Sequence, residues 1–367
     1  MKLAVQDEKR EYLWLRNDRV GENTSDHAGK KQMRLTMIAV LGLLAAVGIS
    51  ASLSFSSDAS SAYEVVHGWP VLSENYILGQ VPGVGVDSHN NVFVFHRADV
   101  PWIDKLNDKP IQQPTILSFD GKTGKLLKSW GADVFLNPHG LAVDREDHIW
   151  VTDCGRQQVL KFTSDGKLLM TVGEKGVPGL DSQHFNQPTD VAVAPDGSFY
   201  VADGYVNSRV IKFSADGKFL ADWGRKGDKP GEFETPHGIA LDHEGRVYVA
   251  DRGNARLQVF KPDGTFLYQW KSPQLGRPWA VRSGPDGYLY VVDGGDMNGG
   301  SQPKPPDRGY IMKLDLKGNI LQKWSRFGNY DGQLFWGHAV AIAADGAVYV
   351  GDIQGRRVQK FRPSNQP

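Results

Sequence analysis

The chain has 367 residues, with 42 Lys plus Arg against 42 Asp plus Glu, so its formal net charge is zero. That balance argues against a protein built to track a nucleic-acid backbone, whose affinity rests on a basic excess and counterion release. At 40% hydrophobic and 23% charged it is globular rather than disordered, and 42 Gly, 20 Pro and 10 Trp favour short strands and tight turns over long helices.

Residues 1–34 are polar, with both charge signs, and are expected to form a cytoplasmic N-terminal segment. Residues 35–55 hold no charge and reach the ~20 apolar and small residues that a bilayer requires. Lys30, Lys31 and Arg34 precede this stretch, whereas Asp58 and Glu64 follow it. The positive-inside rule therefore predicts a transmembrane or signal-anchor helix with everything beyond it outside the cytoplasm. Small residues at 50–52 and 59–62 leave cleavage open, which would release a secreted or periplasmic protein. Residues 56–70 read as a linker.

Residues 71–363 repeat one unit six times. The first two strands of the copies are VPGVGVDSHNNVFVFHR from Val81, NPHGLAVDREDHIWVTD from Asn137, QPTDVAVAPDGSFYVAD from Gln187, TPHGIALDHEGRVYVAD from Thr235, RPWAVRSGPDGYLYVVD from Arg277 and WGHAVAIAADGAVYVGD from Trp336. Third strands such as VLKF, VIKF and LQVF and fourth strands such as KFLADW follow after polar turns. Four short strands per unit predict an all-β, six-bladed β-propeller. The last unit ends after its third strand, so a segment near residues 71–78 is expected to supply the missing outer strand and close the ring. The Asp that ends most second strands (Asp153, Asp203, Asp251, Asp293, Asp352) reads as turn chemistry. The steps Asn207-Ser208-Arg209 and Asn254-Ala255-Arg256 read as links between blades.

Blades share a fold, so chemistry is sought where equivalent positions differ. One register position of the first strand holds Pro82, His139, Thr189, His237, Trp279 and His338. Its three histidines fall on alternate blades, about 120° apart by the sixfold repeat, and three converging neutral imidazoles match a catalytic zinc site with an open position. The plainer reading is that each His caps its own loop. His27, His67, His89, His148, His184 and His243 show no such pattern. The position after the second strand holds Arg97, Cys154, Gly204, Arg252, Gly294 and Ile353. Arg97 and Arg252, on opposite blades, suit capture of a substrate carboxylate, against the alternative that each pairs with a neighbour such as Asp99 or Asp251. Tyr205, which Gly204 would turn toward the channel, is a candidate base whose pKa a nearby divalent cation and the two arginines would lower. Cys154 has no second thiol to pair with and is read as a spectator.

The stretches LGQVPGVGVDSHNNVFVFHRADVPW, LNPHGLAVD, HFNQPTDVAVAPDGSFYVADGYVNSRVIKFS, FETPHGIAL and VADRGNARLQVF resemble the peptidyl-α-hydroxyglycine α-amidating lyases, over about residues 78–363. The resemblance implies zinc on His139, His237 and His338, active-site arginines at Arg97 and Arg252, and an essential tyrosine at Tyr205. It implies cleavage of an α-hydroxyglycine C–N bond to an amide and glyoxylate. It also implies a structural calcium on the backbone carbonyls of Val84 and Leu141 and on an Asp directly after the third histidine. This chain has Ala339 there, so that ion loses its side-chain ligand. Trp336 stands where the family carries Met, and the cysteines of animal members are missing, as in a bacterial-type exported member. Two other functions are weighed against a lyase. One is a non-catalytic NHL propeller that binds a ligand or protein outside the cytoplasm. The other is a lactonase-like hydrolase, which would need Glu, Asp or Asn ligands where this channel presents histidines.

Overall fold

A run such as VYVAD has no polar face to turn to water, so it must lie in a sheet covered on both sides. In the computed structural model, which describes residues 62–74, 76–102, 105–296 and 308–364, Val247–Asp251 is such a strand and is buried throughout. Ile149–Asp153, Phe199–Asp203, Leu289–Asp293 and Val348–Asp352 are its buried counterparts. The fourth strands, such as Leu168–Val172 and Phe219–Trp223, lie at the rim and expose much of their length. Among the described residues the strands form six four-stranded antiparallel sheets, the six-bladed propeller that the repeat predicts. The expected membrane helix at residues 35–55 lies outside the described residues, and no helix among those described is long and apolar enough to cross a membrane.

The core lies between neighbouring blades. The second strands present Trp150, Tyr200, Tyr248, Tyr290 and Tyr349, all buried, to an adjacent sheet. Burying one such ring stabilises the fold by about 1.5–3 kcal/mol, provided its polar tip finds a partner. Those partners are turn carboxylates for three of them: Trp150 Nε1 donates to Asp144 at 2.8 Å, Tyr248 to Asp242 at 2.9 Å and Tyr290 to Asp286 at 2.7 Å.

The Asp that ends the second strands of blades two to six is the turn device the sequence predicts. Asp153 accepts the backbone N–H groups of Leu136, Asn137, Gly155 and Arg156. Asp352 does the same for Phe335, Trp336 and Gly355. In blades three and four the pattern gains a buried guanidinium: Arg209 on Asp203 at 3.0 Å and Arg256 on Asp251 at 2.7 Å. Arg209 also donates to the carbonyls of Leu180, Asp181 and His184, and Arg256 to those of Asp228, Lys229 and Glu232. These are the loops that arrive from the preceding blade, so both arginines link neighbouring blades.

Ring closure corrects one expectation. The outer strand of blade six is Tyr63–Val65, paired antiparallel with Arg357–Pro363, and not the segment at 71–78. Tyr63 and Val65 alternate with an exposed Glu64, as a rim strand requires, and Tyr63 stacks on Trp324 with ring centroids 4.2 Å apart. Glu64 accepts from Arg362 Nε at 2.6 Å. Of residues 71–78, Val71 makes a single parallel bridge to Lys125 of blade one, and Val71 and Ile77 stay 56% and 80% exposed, so no sheet buries them.

Candidate metal centre and active site

The inner strands of blades two to six slip register where their channel residue sits: Pro138–Val143, Pro188–Val193, Pro236–Leu241, Pro278–Ser283 and Gly337–Ile342. A bulge re-aims a side chain, and here it turns His139, Thr189, His237, Trp279 and His338 toward the channel. The three imidazoles converge in a near-equilateral triangle, with centroids 4.9, 4.7 and 4.7 Å apart. All three are buried, and their ligand atoms lie within 4.8 Å of one another.

Each ring is oriented by the next blade. Nδ1–H of His139 donates to the Thr189 carbonyl at 2.6 Å, that of His237 to Trp279 at 2.7 Å and that of His338 to Pro82 at 2.8 Å. The acceptors occupy the same register position one blade on. Because a carbonyl only accepts, this bond places the proton on Nδ1 and leaves the Nε2 lone pair free. Burial holds all three rings well below the ordinary histidine pKa; Arg252 acts in the same direction on each, Arg97 on His139 and His338, and neighbouring imidazoles on His139 and His237. Three neutral Nε2 donors on one small triangle fit a divalent transition metal such as zinc. Each ring thus bonds to the next blade and does not cap its own loop, and this bond coexists with the ligand geometry, one on each ring nitrogen.

Tyr205 completes the centre, with its hydroxyl 3.0 Å from Nε2 of His139 and 3.2 Å from Nε2 of His237. Gly204 serves by close approach rather than by conformational freedom, since a Cβ there would overlap the Pro236 carbonyl oxygen. The expected lowering of the tyrosine pKa is not what the protein groups produce. Burial raises it, and this outweighs the opposing charges of Arg252 and Arg97.

Neither arginine forms an ion pair with Asp99, Asp251 or any other carboxylate among the described residues. Arg252 is half-buried, lies 4.3 Å over Trp279 and 5.1 Å over Tyr205, and donates to the Tyr205 hydroxyl at 3.5 Å. Arg97 is more tightly built in: Nε donates to the Pro138 carbonyl at 3.0 Å and Nη1 to Gln80 Oε1 at 2.7 Å. Burial pulls its pKa down to about 10, so it remains charged at neutral pH. Cys154 is buried, its thiol donates to the Pro188 carbonyl, and burial pushes its pKa well up, as befits a spectator.

Three contributors escaped the repeat comparison: Gln80 and Trp102 lie outside the compared registers, and His96 holds in blade one the register that Asp holds in the other five. Gln80 Oε1 accepts from both Arg97 and the Trp102 N–H, which fixes the loop after the second strand of blade one. Trp102 packs edge to face on Tyr205 at 5.0 Å, beneath the Arg97 guanidinium at 5.0 Å. His96, buried beside Arg97, accepts the N–H groups of Gly79 and Ala98, and burial lowers its pKa to about 4.

The implied calcium does not fit. Ala339 offers no ligand, and the Leu141 carbonyl, one of its two expected backbone donors beside Val84, accepts instead from Arg282 Nη2 at 3.1 Å.

The NHL-repeat family pattern matches residues 135–162, 185–213 and 233–260. In fold the chain is similar to the solved structure of streptogramin B lyase, with a TM-score of 0.54 and 16% identity over 82% of this chain and 97% of that one. Fold and site therefore define an NHL-repeat propeller with a three-histidine centre. Peptidyl-glycine alpha-amidating monooxygenase A of Xenopus laevis is 40% identical over 316 residues, 81% of this chain but 33% of that protein. The chain thus spans about a third of the length of the first curated relatives it matches. Peptidyl-alpha-hydroxyglycine alpha-amidating lyase 2 of Drosophila melanogaster is 34% identical over 81% of this chain and 75% of its own length. The chain belongs to the peptidyl-α-hydroxyglycine α-amidating lyase family.

Proposed function

We propose that the protein is a zinc-dependent lyase that cleaves a peptidyl- or N-acyl-α-hydroxyglycine to an amide and glyoxylate. The observation that carries this reading is the Tyr205 hydroxyl within hydrogen-bond reach of two of three converging, neutral imidazoles, with two guanidiniums beside it. A zinc ion held by Nε2 of His139, His237 and His338 would supply Lewis acidity toward the substrate hydroxyl. Arg252, half-buried and unpaired with any carboxylate among the described residues, forks onto the substrate carboxylate, while the anchored Arg97 adds positive charge to the same pocket. Tyr205 Oη takes the proton of the α-hydroxyl as phenolate, the form that a bound zinc would favour, together with the Arg252 and Arg97 charges, against the raising effect of burial. The O–H electron pair becomes the new C=O, the C–N bond breaks, and its pair leaves on nitrogen, which takes back the proton from Tyr205 to become the amide and restores the phenolate. The products are one amide and one glyoxylate, with no oxidant or water consumed.

The test is glyoxylate release by the full-length protein from a panel of N-acyl-α-hydroxyglycines, with and without a transition-metal chelator. Turnover that falls on chelation and returns with zinc supports the assignment; metal-loaded protein that is inert on the whole panel ends it. A non-catalytic binding propeller would leave a stoichiometric metal without a purpose. We also place the propeller outside the cytoplasm, held by residues 35–55, on the strength of the uncharged stretch and its flanking charges. Protease protection in intact cells would contradict that placement.

A further inference from the structure

The channel contains a part-buried ion pair that the histidine centre does not use. Arg282, on the inner strand of blade five, forks onto Asp190 of blade three, with Nη1 at 2.6 Å from Oδ2 and Nη2 at 2.8 Å from Oδ1. The same guanidinium donates to the carbonyl of Leu141 on blade two at 3.1 Å and of Ile239 on blade four at 2.9 Å. Asp190 Oδ2 also accepts the Ile239 N–H at 3.0 Å. One cation therefore ties the inner strands of four successive blades.

We propose that Arg282 is the resident cation of this channel, standing in the place of a calcium ion and making the propeller independent of calcium. A carboxylate and two carbonyls converging on one point form the oxygen shell a hard cation takes, and here a guanidinium fills it. Arginine stays protonated in proteins, so the charge is permanent. The space left between the histidines, Asp190, Arg282 and Ala339 is about 10 Å³, no more than one water-sized sphere, so no hydrated ion joins the pair. Arg282 and Leu141 also line the cup of about 220 Å³ at the far end of the channel, so they divide that cup from the histidine centre. Leu141 and Ile239 each lie two residues beyond a histidine, His139 and His237, on the same strand. Arg282 is thus a positioning residue for the strands that carry two of the three imidazoles. Ala339 belongs to the same arrangement: an aspartate beside a channel already filled by Arg282 would have no ion to bind.

The test stands apart from the lyase reading, because it needs no turnover. Full-length protein is equilibrated with calcium, desalted and analysed for metals, and its Tm is compared in calcium and in a calcium-selective chelator. No bound calcium and an unchanged Tm are expected. Stoichiometric calcium, or a Tm lowered by roughly 5 °C or more on chelation, overturns the proposal. The double variant Arg282→Ala with Ala339→Asp removes the guanidinium and sets a second carboxylate beside Asp190. It is expected to bind calcium, to melt roughly 5 °C higher in its presence, and to regain with calcium the transition-metal affinity that Arg282→Ala alone loses. A folded double variant indifferent to calcium overturns the assignment. The wild-type measurement decides the question by itself if the double variant does not fold.

Discussion

His139 donates its Nδ1–H to the carbonyl of Thr189 at 2.6 Å, and Thr189 holds on blade three the register that His139 holds on blade two. His237 repeats the relationship with Trp279 and His338 with Pro82, the last across the ring closure. Each candidate ligand therefore takes its tautomer from the backbone of its neighbour. Gly140 permits the closest of these approaches, since a Cβ there would lie 2.7 Å from the Thr189 oxygen.

From this geometry His139→Ala and His237→Ala are expected to keep the strand-rich circular-dichroism spectrum and to lose bound transition metal. Elemental analysis of the purified variants checks it. Metal retained at the wild-type level in both would remove the three-histidine centre as the binding site.

Tyr205→Phe deletes one oxygen that touches two imidazoles. Turnover should fall by about 10²–10⁴-fold, the range of a positioned acid or base, while metal content and melting temperature stay close to wild type. Steady-state kinetics with metal analysis separate this from a structural effect.

The two arginines should separate in the same assay. Arg252→Gln is expected to lower kcat/KM by about 10–100-fold, as for loss of a charge-assisted bond, with little change in stability. Arg97→Gln should also lower the melting temperature, because Gln80 and the Pro138 carbonyl lose their buried donors.

Asp203→Ala removes the buried carboxylate at 3.0 Å from the Arg209 guanidinium, 3% exposed, and leaves it only the exposed Asp222 as an ion-pair partner. Removing one member of a buried pair costs about 3–5 kcal/mol, which denaturant unfolding would show as a lower midpoint. Replacing the exposed Asp165 in the same way should change little.

The closing strand makes a further prediction. A chain beginning at residue 67 lacks Tyr63–Val65, exposes Trp324 and leaves Arg357–Pro363 as an open edge. It should be less stable than a chain beginning at residue 56 by about 3 kcal/mol or more, from the lost burial of Tyr63 and Val65. Equal stability would show that ring closure does not rest on that strand.

Much of this was legible in one dimension because a propeller repeats. Once six copies are aligned, the alternation of His139, His237 and His338 is a geometric statement, since a closed ring of six sets alternate blades at about 120°. The turn role of Asp153 and Asp352 followed from recurrence alone. Residues outside the repeat left no such trace. Gln80 and Trp102 act through a loop whose path depends on how blade one meets its neighbours. The closing strand was misplaced because three residues, Tyr63–Val65, carry too little pattern to outweigh the longer apolar stretch that follows.

The sequence by itself determined the strands, their sixfold grouping and which chemical groups the channel receives, because period and register are properties of the chain order. Only the tertiary structure decided which nitrogen of each histidine is free, that burial raises the Tyr205 pKa, and that Arg282 meets Asp190 across 92 positions of sequence. Those outcomes depend on distances and desolvation between segments remote in the chain, and no local pattern encodes them.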